Sequence, residues 1–168
     1  VRVERNETPT ENNSFEIGGD YMHVFENGSR WRTLFIANET ITDEVRSRLQ
    51  IDGSTSVKDL FLSNYLKTQE RIARSSYVFD FNETQSMELG VERAQTILDT
   101  SLRLGLLSSD SNQNTGGPRF GELRPITDAN GTVEEMRYEY FSIHNWQLND
   151  RMSLETTFLI EDSTISQE

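Results

Sequence analysis

The chain has 168 residues, about the length of one domain, and its 16 Lys and Arg residues against 28 Asp and Glu residues give a formal net charge of −12. So acidic a chain repels phosphate backbones, and we expect no nucleic-acid partner. The absence of Cys excludes disulfides, thiolate metal sites and cysteine nucleophiles. Hydrophobic residues make up 34% of the chain, which is little material for a large dry core, and no apolar run approaches the ~18–20 residues of a membrane-spanning helix.

The first part of the sequence predicts a leader and one β-hairpin. Residues 1–13 are polar and include one Pro, which is typical of a leader or loop. Apolar and polar residues then alternate over 14–26 and again over 30–38, which predicts two strands. Between them stands Asn27-Gly28, a pair that predicts a type I′ turn because both central residues of that turn need a positive φ.

The rest of the chain predicts two further hairpins, each preceded by a long loop. The predicted strands cover residues 70–81, 86–97, 134–148 and 152–165. Residues 39–69 and 98–133 lose the alternation and are rich in polar residues, so we expect two long irregular loops. The predicted fold is all-β: one segment, residues 1–168, forming an antiparallel up-and-down meander of about six long strands.

Three features of this pattern are typical of a transmembrane β-barrel. Tight turns alternate with long loops, which are uncommon in compact soluble domains. All three Pro lie outside the predicted strands, as a hydrogen-bonded ladder requires. Aromatic residues gather beside the tight turns, as they do in the girdle at a membrane interface. The sequence therefore predicts that the six strands form part of a barrel wall.

The alternation also assigns strand residues to two faces. We expect the charged parity to line a lumen, and it comprises Glu16, Asp20, Arg30, Arg32, Arg74, Asp80, Glu88, Glu92 and Glu155. We expect the apolar parity to face lipid or form a girdle, and it comprises Phe15, Ile17, Tyr21, Phe25, Trp31, Phe35, Tyr77, Phe79, Phe81, Met87, Leu89, Val91, Trp146, Leu154, Phe158 and Ile160. In the strand 134–148 both parities carry aromatics, and we place Tyr138, Tyr140, His144, Trp146 and Leu148 on the apolar face.

Three stretches are similar to the barrels of TonB-dependent outer-membrane receptors of Gram-negative bacteria: FEIGGDYMHVFENGSRW, QERIARSSYVFDFNETQSMELGVERAQTILD and EEMRYEYFSIHNWQLNDRMSLETTFL. The resemblance covers about residues 14–165 and is one of strand texture and hairpin rhythm. It implies a wall segment of a barrel of about 22 strands with a lumen plug. The plug domain has no counterpart in these residues, so the resemblance implies an interior portion.

The resemblance also implies a function. Receptors of this family sit in the cell outer membrane and import a scarce nutrient, such as a metal chelate, cobalamin or a glycan. Their partners are the TonB energy-coupling system, which acts through the plug, the membrane lipid, and a small-molecule or glycan ligand. The chain would then be no enzyme and would use no cofactor. The candidate ligand-binding residues lie in the second long loop and are Arg119, Phe120 and Arg124.

The sequence offers few residues for other chemistry. His23 and His144 lie on different predicted strands, so a girdle position fits them better than metal ligation. The run Asp110 to Gly116 is similar to a calcium loop, but its Gly is one position late and the bidentate Glu is absent. We therefore assign no catalytic and no metal residue.

Two other functions remain open from the sequence. A soluble β-barrel or clamshell module would turn the apolar parity inward and hold a ligand among Tyr21, Phe35, Tyr77 and Phe79. A glycan-active enzyme would use two carboxylates of the charged parity as acid and base.

Overall fold

In a computed structural model, the chain forms one antiparallel sheet of eight strands. The structure describes residues 2–107 and 120–168, and it describes the side chains of residues 3–54, 60–105 and 124–168. The all-β antiparallel meander is confirmed. The strands are β1 Arg2–Glu7, β2 Thr10–Val24, β3 Arg30–Asp52, β4 Thr55–Asn82, β5 Gln85–Leu107, β6 Phe120–Pro125, β7 Gly131–Asn149 and β8 Met152–Gln167.

The eight strands form six long rows, because two of the rows are each interrupted once. Both β1 and β2 pair with β3, and the break between them falls at Thr8 and Pro9. Proline has no N–H for the ladder, although the Pro9 carbonyl still accepts a hydrogen bond of 3.1 Å from Val45 N. Likewise β6 and β7 both pair with β5, separated by a 3₁₀ turn at Thr127–Ala129. The prediction of a leader over residues 1–13 is wrong, since β1 and β2 include most of them.

The prediction of two long loops is also wrong for the residues that the structure describes. β3 continues to Asp52, Gly53 makes a tight turn with φ +58°, and β4 begins at Thr55, so residues 39–69 are strand and turn. β5 likewise continues to Leu107. Of the second predicted loop, residues 108–119 lie outside the described residues. The backbone ladder thus extends well beyond the stretches where side chains alternate.

Three tight turns lie together at one end of the sheet, and each contains an Asn. The side-chain oxygen Oδ1 accepts a hydrogen bond from the backbone N–H two residues later in all three: Ser29 N to Asn27, Thr84 N to Asn82 and Arg151 N to Asn149, at 2.9–3.1 Å. This contact is the local turn that Asn favours. The prediction of type I′ at Asn27 is wrong. Among the described residues only Gly28 and Gly53 have a positive φ, and Gly28 N–H donates to the Phe25 carbonyl at 2.9 Å.

Successive turns at this end are staggered along the strands. Arg30 pairs with Val78, yet β4 runs four residues further to Asn82. Gln85 pairs with Trp146, yet β7 runs three residues further to Asn149. At ~3.4 Å per residue the stagger is about 10–14 Å per hairpin, over two strand spacings of ~4.8 Å each. For all three turns to lie at the same height, the strands must therefore be tilted by about 45–55° from the perpendicular to the line that joins the turns.

The sheet is a single layer with almost no core. Among the described side chains, the buried hydrophobic residues are only Val78, Ala94 and Phe141. Partners across the ladder share a face, so the register defines two faces. Face A carries Tyr21, Trp31 and Tyr77, and face B carries Asp20, Arg32 and Arg74. The edge strands pair on one side only, so the described sheet is not closed.

Candidate functional site

Face A collects the apolar residues that the sequence assigns to lipid or girdle. Phe25 and Phe81 follow strand irregularities and join the others through ring contacts with Tyr77 and Phe79. The register places the other fourteen on face A: Phe15, Ile17, Tyr21, Trp31, Phe35, Tyr77, Phe79, Met87, Leu89, Val91, Trp146, Leu154, Phe158 and Ile160. Tyr138, Tyr140 and His144 lie on the same face.

These residues form an apolar band beside the three Asn turns. On face A the band covers residues 15–25, 31–37, 73–81, 87–91, 138–146 and 154–160. Its side chains are exposed in spite of being apolar: Phe158 is 64% exposed, Ile17 63% and Phe15 57%. Exposed apolar surface on this scale marks an interaction site.

A row of rings crosses the band near the turns. Ring centroids lie 4.6 Å apart between His23 and Phe25 and 5.9 Å apart between Phe25 and Tyr77. The row continues from Tyr77 to Phe79 at 5.7 Å, to Phe81 at 5.1 Å and to His144 at 6.4 Å. These separations fit favourable aromatic contacts, most of them edge to face. The two His residues therefore lie at the ends of an aromatic row, and no group of three potential metal ligands occurs among the described residues.

Hydrogen bonds hold the polar tips of two aromatic residues of the band, Tyr77 and Trp31. The Tyr77 hydroxyl donates to Ser29 Oγ at 2.7 Å, and Ser29 Oγ donates to Asn27 Oδ1 at 2.6 Å. Trp31 Nε1 donates to Ser75 Oγ at 2.8 Å. Tyr and Trp with an apolar ring and a bonded polar tip are typical of a surface between apolar and wet surroundings.

Beyond the band, polar and charged residues lie among the apolar ones on face A, and we call this part of the strands the polar extension (residues 39–52 and 60–71, with their partners on β5). There Lys67 Nζ lies 3.1 Å from Glu39 Oε2, and Gln69 Nε2 donates to the same oxygen at 2.7 Å. The Lys67 hydrogen bond holds the pKa of Glu39 below its ordinary value of 4.5, and Glu39 raises the pKa of Lys67 above 10.5.

Face B carries the charged residues that the sequence assigns to a lumen. Glu16, Asp20, Arg30, Arg32, Arg74, Asp80, Glu88, Glu92 and Glu155 all share this face by register. A cleft of about 560 Å³ lies among Asp20, Arg32, Arg74 and Glu88.

An ion-pair network beside this cleft includes residues that the sequence analysis missed. Arg74 Nη1 lies 3.7 Å from Glu92 Oε2, and Arg137 Nη2 lies 3.5 Å from Glu92 Oε1. Arg137 Nε lies 3.0 Å from Glu139 Oε1. The Arg74 guanidinium also stacks 4.3 Å above the Phe141 ring. Glu92 and Arg74 were predicted for this face, whereas Arg137 and Glu139 follow from the parity of β7 only once its register is known.

Phe141 owes its burial to a glycine. Gly90 is its register partner, and a Cβ on Gly90 would overlap the Phe141 ring. The ring therefore covers bare backbone, which leaves it only 7% exposed. The signal in the sequence is a single Gly in a strand, which marks close approach of a neighbour.

The candidate ligand-binding residues are only partly described. Arg124 lies on β6 opposite Leu104 and is exposed. Arg119, the side chain of Phe120 and the calcium-loop-like run from Asp110 lie outside the described residues. The described residues therefore do not test whether these three candidates lie together.

Among the described residues, no helix is long and apolar enough to cross a membrane. Neither a protein-family model nor a curated protein sequence matches the chain.

Proposed function

We propose that the chain forms part of the wall of a TonB-dependent receptor in the outer membrane of a Gram-negative bacterium, which takes up a scarce nutrient actively. The observation that carries the proposal is the single-layer sheet with an apolar band on one face and charges on the other. The remaining support is the resemblance of its hairpins to those barrels.

A single layer needs an apolar partner for its apolar face. Stable domains bury such a face against a second layer of helices or strands. Among the described residues nothing packs on face A, and Ile17 and Phe158 remain more than 60% exposed. Membrane hydrocarbon supplies the missing second layer without any further protein, and we infer that lipid covers the band.

The dimensions of the band agree with this environment. On β4 it extends nine residues from Asn82 to Ala73, about 31 Å along the strand. A tilt of ~45° reduces that length to about 22 Å along the membrane normal, close to the ~25 Å apolar band of outer-membrane barrels. The stagger of the turns indicates the same tilt, independently of the side chains.

Face B then lines the lumen, where water solvates charged side chains. Arg74 and Arg137 pair there with two carboxylates, Glu92 and Glu139, so this network carries no net charge. In this arrangement the polar extension projects from the membrane and meets the ligand, a metal chelate, cobalamin or a glycan. The TonB system would act through a plug in the lumen, so the chain itself performs no covalent chemistry.

Single-cysteine labelling tests which face meets lipid. Because these residues include no Cys, an introduced cysteine is the only thiol among them that the reagent can label. Leu34 on face B and Phe35 on face A are adjacent apolar residues that are 36% and 50% exposed. In outer-membrane fragments we expect a water-soluble maleimide to label Leu34→Cys and not Phe35→Cys. Detergent solubilisation and unfolding should then expose both. Labelling of Phe35→Cys in the membrane would contradict a lipid-facing face A.

Transport needs a separate test. Uptake of labelled ferric chelates, cobalamin and oligosaccharides is compared between cells with and without the protein, each with and without a protonophore. We expect uptake of one ligand class to need both the protein and the proton gradient. Uptake that the protonophore leaves unchanged would contradict TonB coupling.

A soluble ligand-binding module is the second candidate, because face A holds an open apolar groove of about 650 Å³. A ligand there would contact Tyr21 and Phe35, two of the four residues named from the sequence. This function predicts that the protein stays in the soluble fraction and that a water-soluble maleimide labels Phe35→Cys there.

A further inference from the structure

The groove on face A has a defined length, floor and walls. It crosses the strands from β2 to β7, a distance of four strand spacings or about 19 Å. Its volume of about 650 Å³ lies within the range of small-molecule sites. Small side chains form its floor and rings form its walls: the floor is Ala73 and Ser75, and the walls are Tyr21, Phe35, Tyr138 and Tyr140.

Two arginines lie at one rim of this groove without an ion-pair partner. Arg93 is the register partner of Ala73, and Arg71 is that of Gln95, so the two arginines are diagonal neighbours on β4 and β5. Such neighbours lie ~7–8 Å apart, within reach of long side chains. Arg71 donates only one long hydrogen bond, 3.4 Å to Gln95 Oε1, and among the described residues Arg93 has no ion pair or hydrogen bond. Like charges so placed repel each other unless an anion lies between them.

Neighbouring groups add hydrogen-bond donors to this rim. Glu39, which lies beyond Ala37, the register partner of Arg71, forms its ion pair with Lys67, and the charge of Arg71 contributes less than Lys67 to the lowered pKa of Glu39. Tyr138 and Tyr140 line the same groove, and their hydroxyls have no hydrogen-bond partner among the described residues. The two arginines and the two hydroxyls together supply donors for a phosphate.

The rim also lies at the level of a lipid headgroup. Arg71 is eleven residues from Asn82 on β4, about 37 Å along the strand or about 26 Å along the normal at ~45° tilt. That height is the outer boundary of a ~25 Å band, and the groove lies just inside it. One acyl chain spans about half of the ~30 Å hydrocarbon core, some 15 Å, and the four residues from Arg71 to Ser75 give about 14 Å along β4.

We propose that this groove is a binding site for one phosphate-bearing membrane lipid, whose phosphate lies between Arg71 and Arg93 and whose acyl chain lies on Ala73 and Ser75. The proposal rests on the proposed function, because it requires face A to meet the bilayer. It adds a lipid ligand that a merely apolar wall would not select.

Tryptophan quenching by brominated lipids tests the site. Trp31 donates to Ser75 on the groove floor, and Trp146→Phe leaves Trp31 as the single tryptophan of these 168 residues, so any tryptophan elsewhere in the receptor is also replaced by Phe. The Trp146→Phe protein is placed in phosphatidylcholine bilayers that contain increasing fractions of brominated phosphatidylglycerol or brominated phosphatidylcholine. We expect brominated phosphatidylglycerol to quench Trp31 at about a tenfold lower fraction, the preference that ~1.4 kcal/mol of charge-assisted hydrogen bonding gives.

Variants separate the headgroup from the groove. Arg71→Gln with Arg93→Gln should abolish the preference for phosphatidylglycerol, whereas the control Arg32→Gln, on face B, should keep it. Gly19→Leu should weaken quenching by phosphatidylglycerol, because a side chain at this position has open space and occupies the groove.

The outcomes distinguish this inference from the proposed function. If neither lipid quenches Trp31, face A does not meet the bilayer and both proposals fail. If the two lipids quench equally in the unmodified groove, the wall is lipid-facing but the specific site is refuted. A preference that survives Arg71→Gln with Arg93→Gln would also refute it, because the phosphate would then bind elsewhere.

Discussion

A charge placed on the apolar band should prevent membrane assembly, while the same charge one residue away should not. Leu89 lies on face A between Tyr77 and Ser142 and is 43% exposed. Glu88 lies on face B between Val78 and Ile143. We therefore expect Leu89→Arg to block assembly and Glu88→Arg to permit it. The two variants differ by one position in the strand and carry the same new side chain.

The magnitude follows from the position of Leu89 in the band. It lies four residues from Gln85 at the start of β5, about 14 Å along the strand and about 10 Å along the normal at ~45° tilt. That depth is close to the middle of a ~25 Å band, where Arg costs ~2–4 kcal/mol. The population of assembled protein should fall by about 30- to 700-fold relative to the unassembled form.

The assay compares heat-modifiable electrophoretic mobility of both variants and the unmodified protein in outer-membrane fractions. The folded band should be lost for Leu89→Arg and kept for Glu88→Arg. Equal tolerance of the two changes, or the reverse order, would refute the assignment of face A to lipid.

Two further predictions concern packing and pH. Gly90→Ala should destabilise the fold by ~1–3 kcal/mol in a urea titration, because its Cβ displaces the Phe141 ring, whereas Gly19→Ala meets open space and should change little. Lys67→Met should lower the thermal midpoint most between pH 4.5 and 10.5. The pKa of Glu39 is lowered on folding, so its contribution is lost as the pH falls below 4.5 through the folded pKa, and that of Lys67 is lost above 10.5. A difference between Lys67→Met and the unmodified protein that is constant across this range would contradict the ion pair.

The two faces of the sheet could be predicted from the sequence because the apolar band imposes a period of two. Wherever one face meets an apolar surrounding and the other meets water, side chains must alternate. The alternation over 14–26 and 86–97 therefore placed Tyr21 and Leu89 on one face and Asp20 and Glu88 on the other, as the register has them. Whether these faces meet lipid and lumen stays a prediction.

The strands beyond the band could not be recognised by alternation, because polar residues lie on both of their faces. Thr40 and Thr42 lie on face B and Glu39 on face A, so hydrophilic residues occupy both parities. A stretch rich in Thr and Ser then looks like a loop, although Thr is a good strand former. One local signal was present: Asp52-Gly53 is a hairpin dipeptide, and Gly53 makes the turn with φ +58°.

The site residues that were missed depend on pairing rather than on pattern. Nothing in the spacing of Gly90 and Phe141 along the chain predicts that they meet, because β5 and β7 are separated by residues 108–119 and by β6. Once the register joins them, the ring over Gly90 brings Arg74 above it and Glu92 beside it. Long-range register, rather than local propensity, therefore determines the charged network on face B.

The same sheet is stabilised differently in its two zones. In the polar extension little is buried, and stability comes from the backbone ladder and from cross-strand contacts such as Gln69 to Glu39 at 2.7 Å and Lys67 to Glu39 at 3.1 Å. In the band, the exposed rings contribute only when an apolar medium covers them. Detergent exchange should therefore perturb the band, and denaturant should first open the extension. The boundary between the zones falls at the row of Ala37, Arg71 and Gln95, which is the rim of the groove.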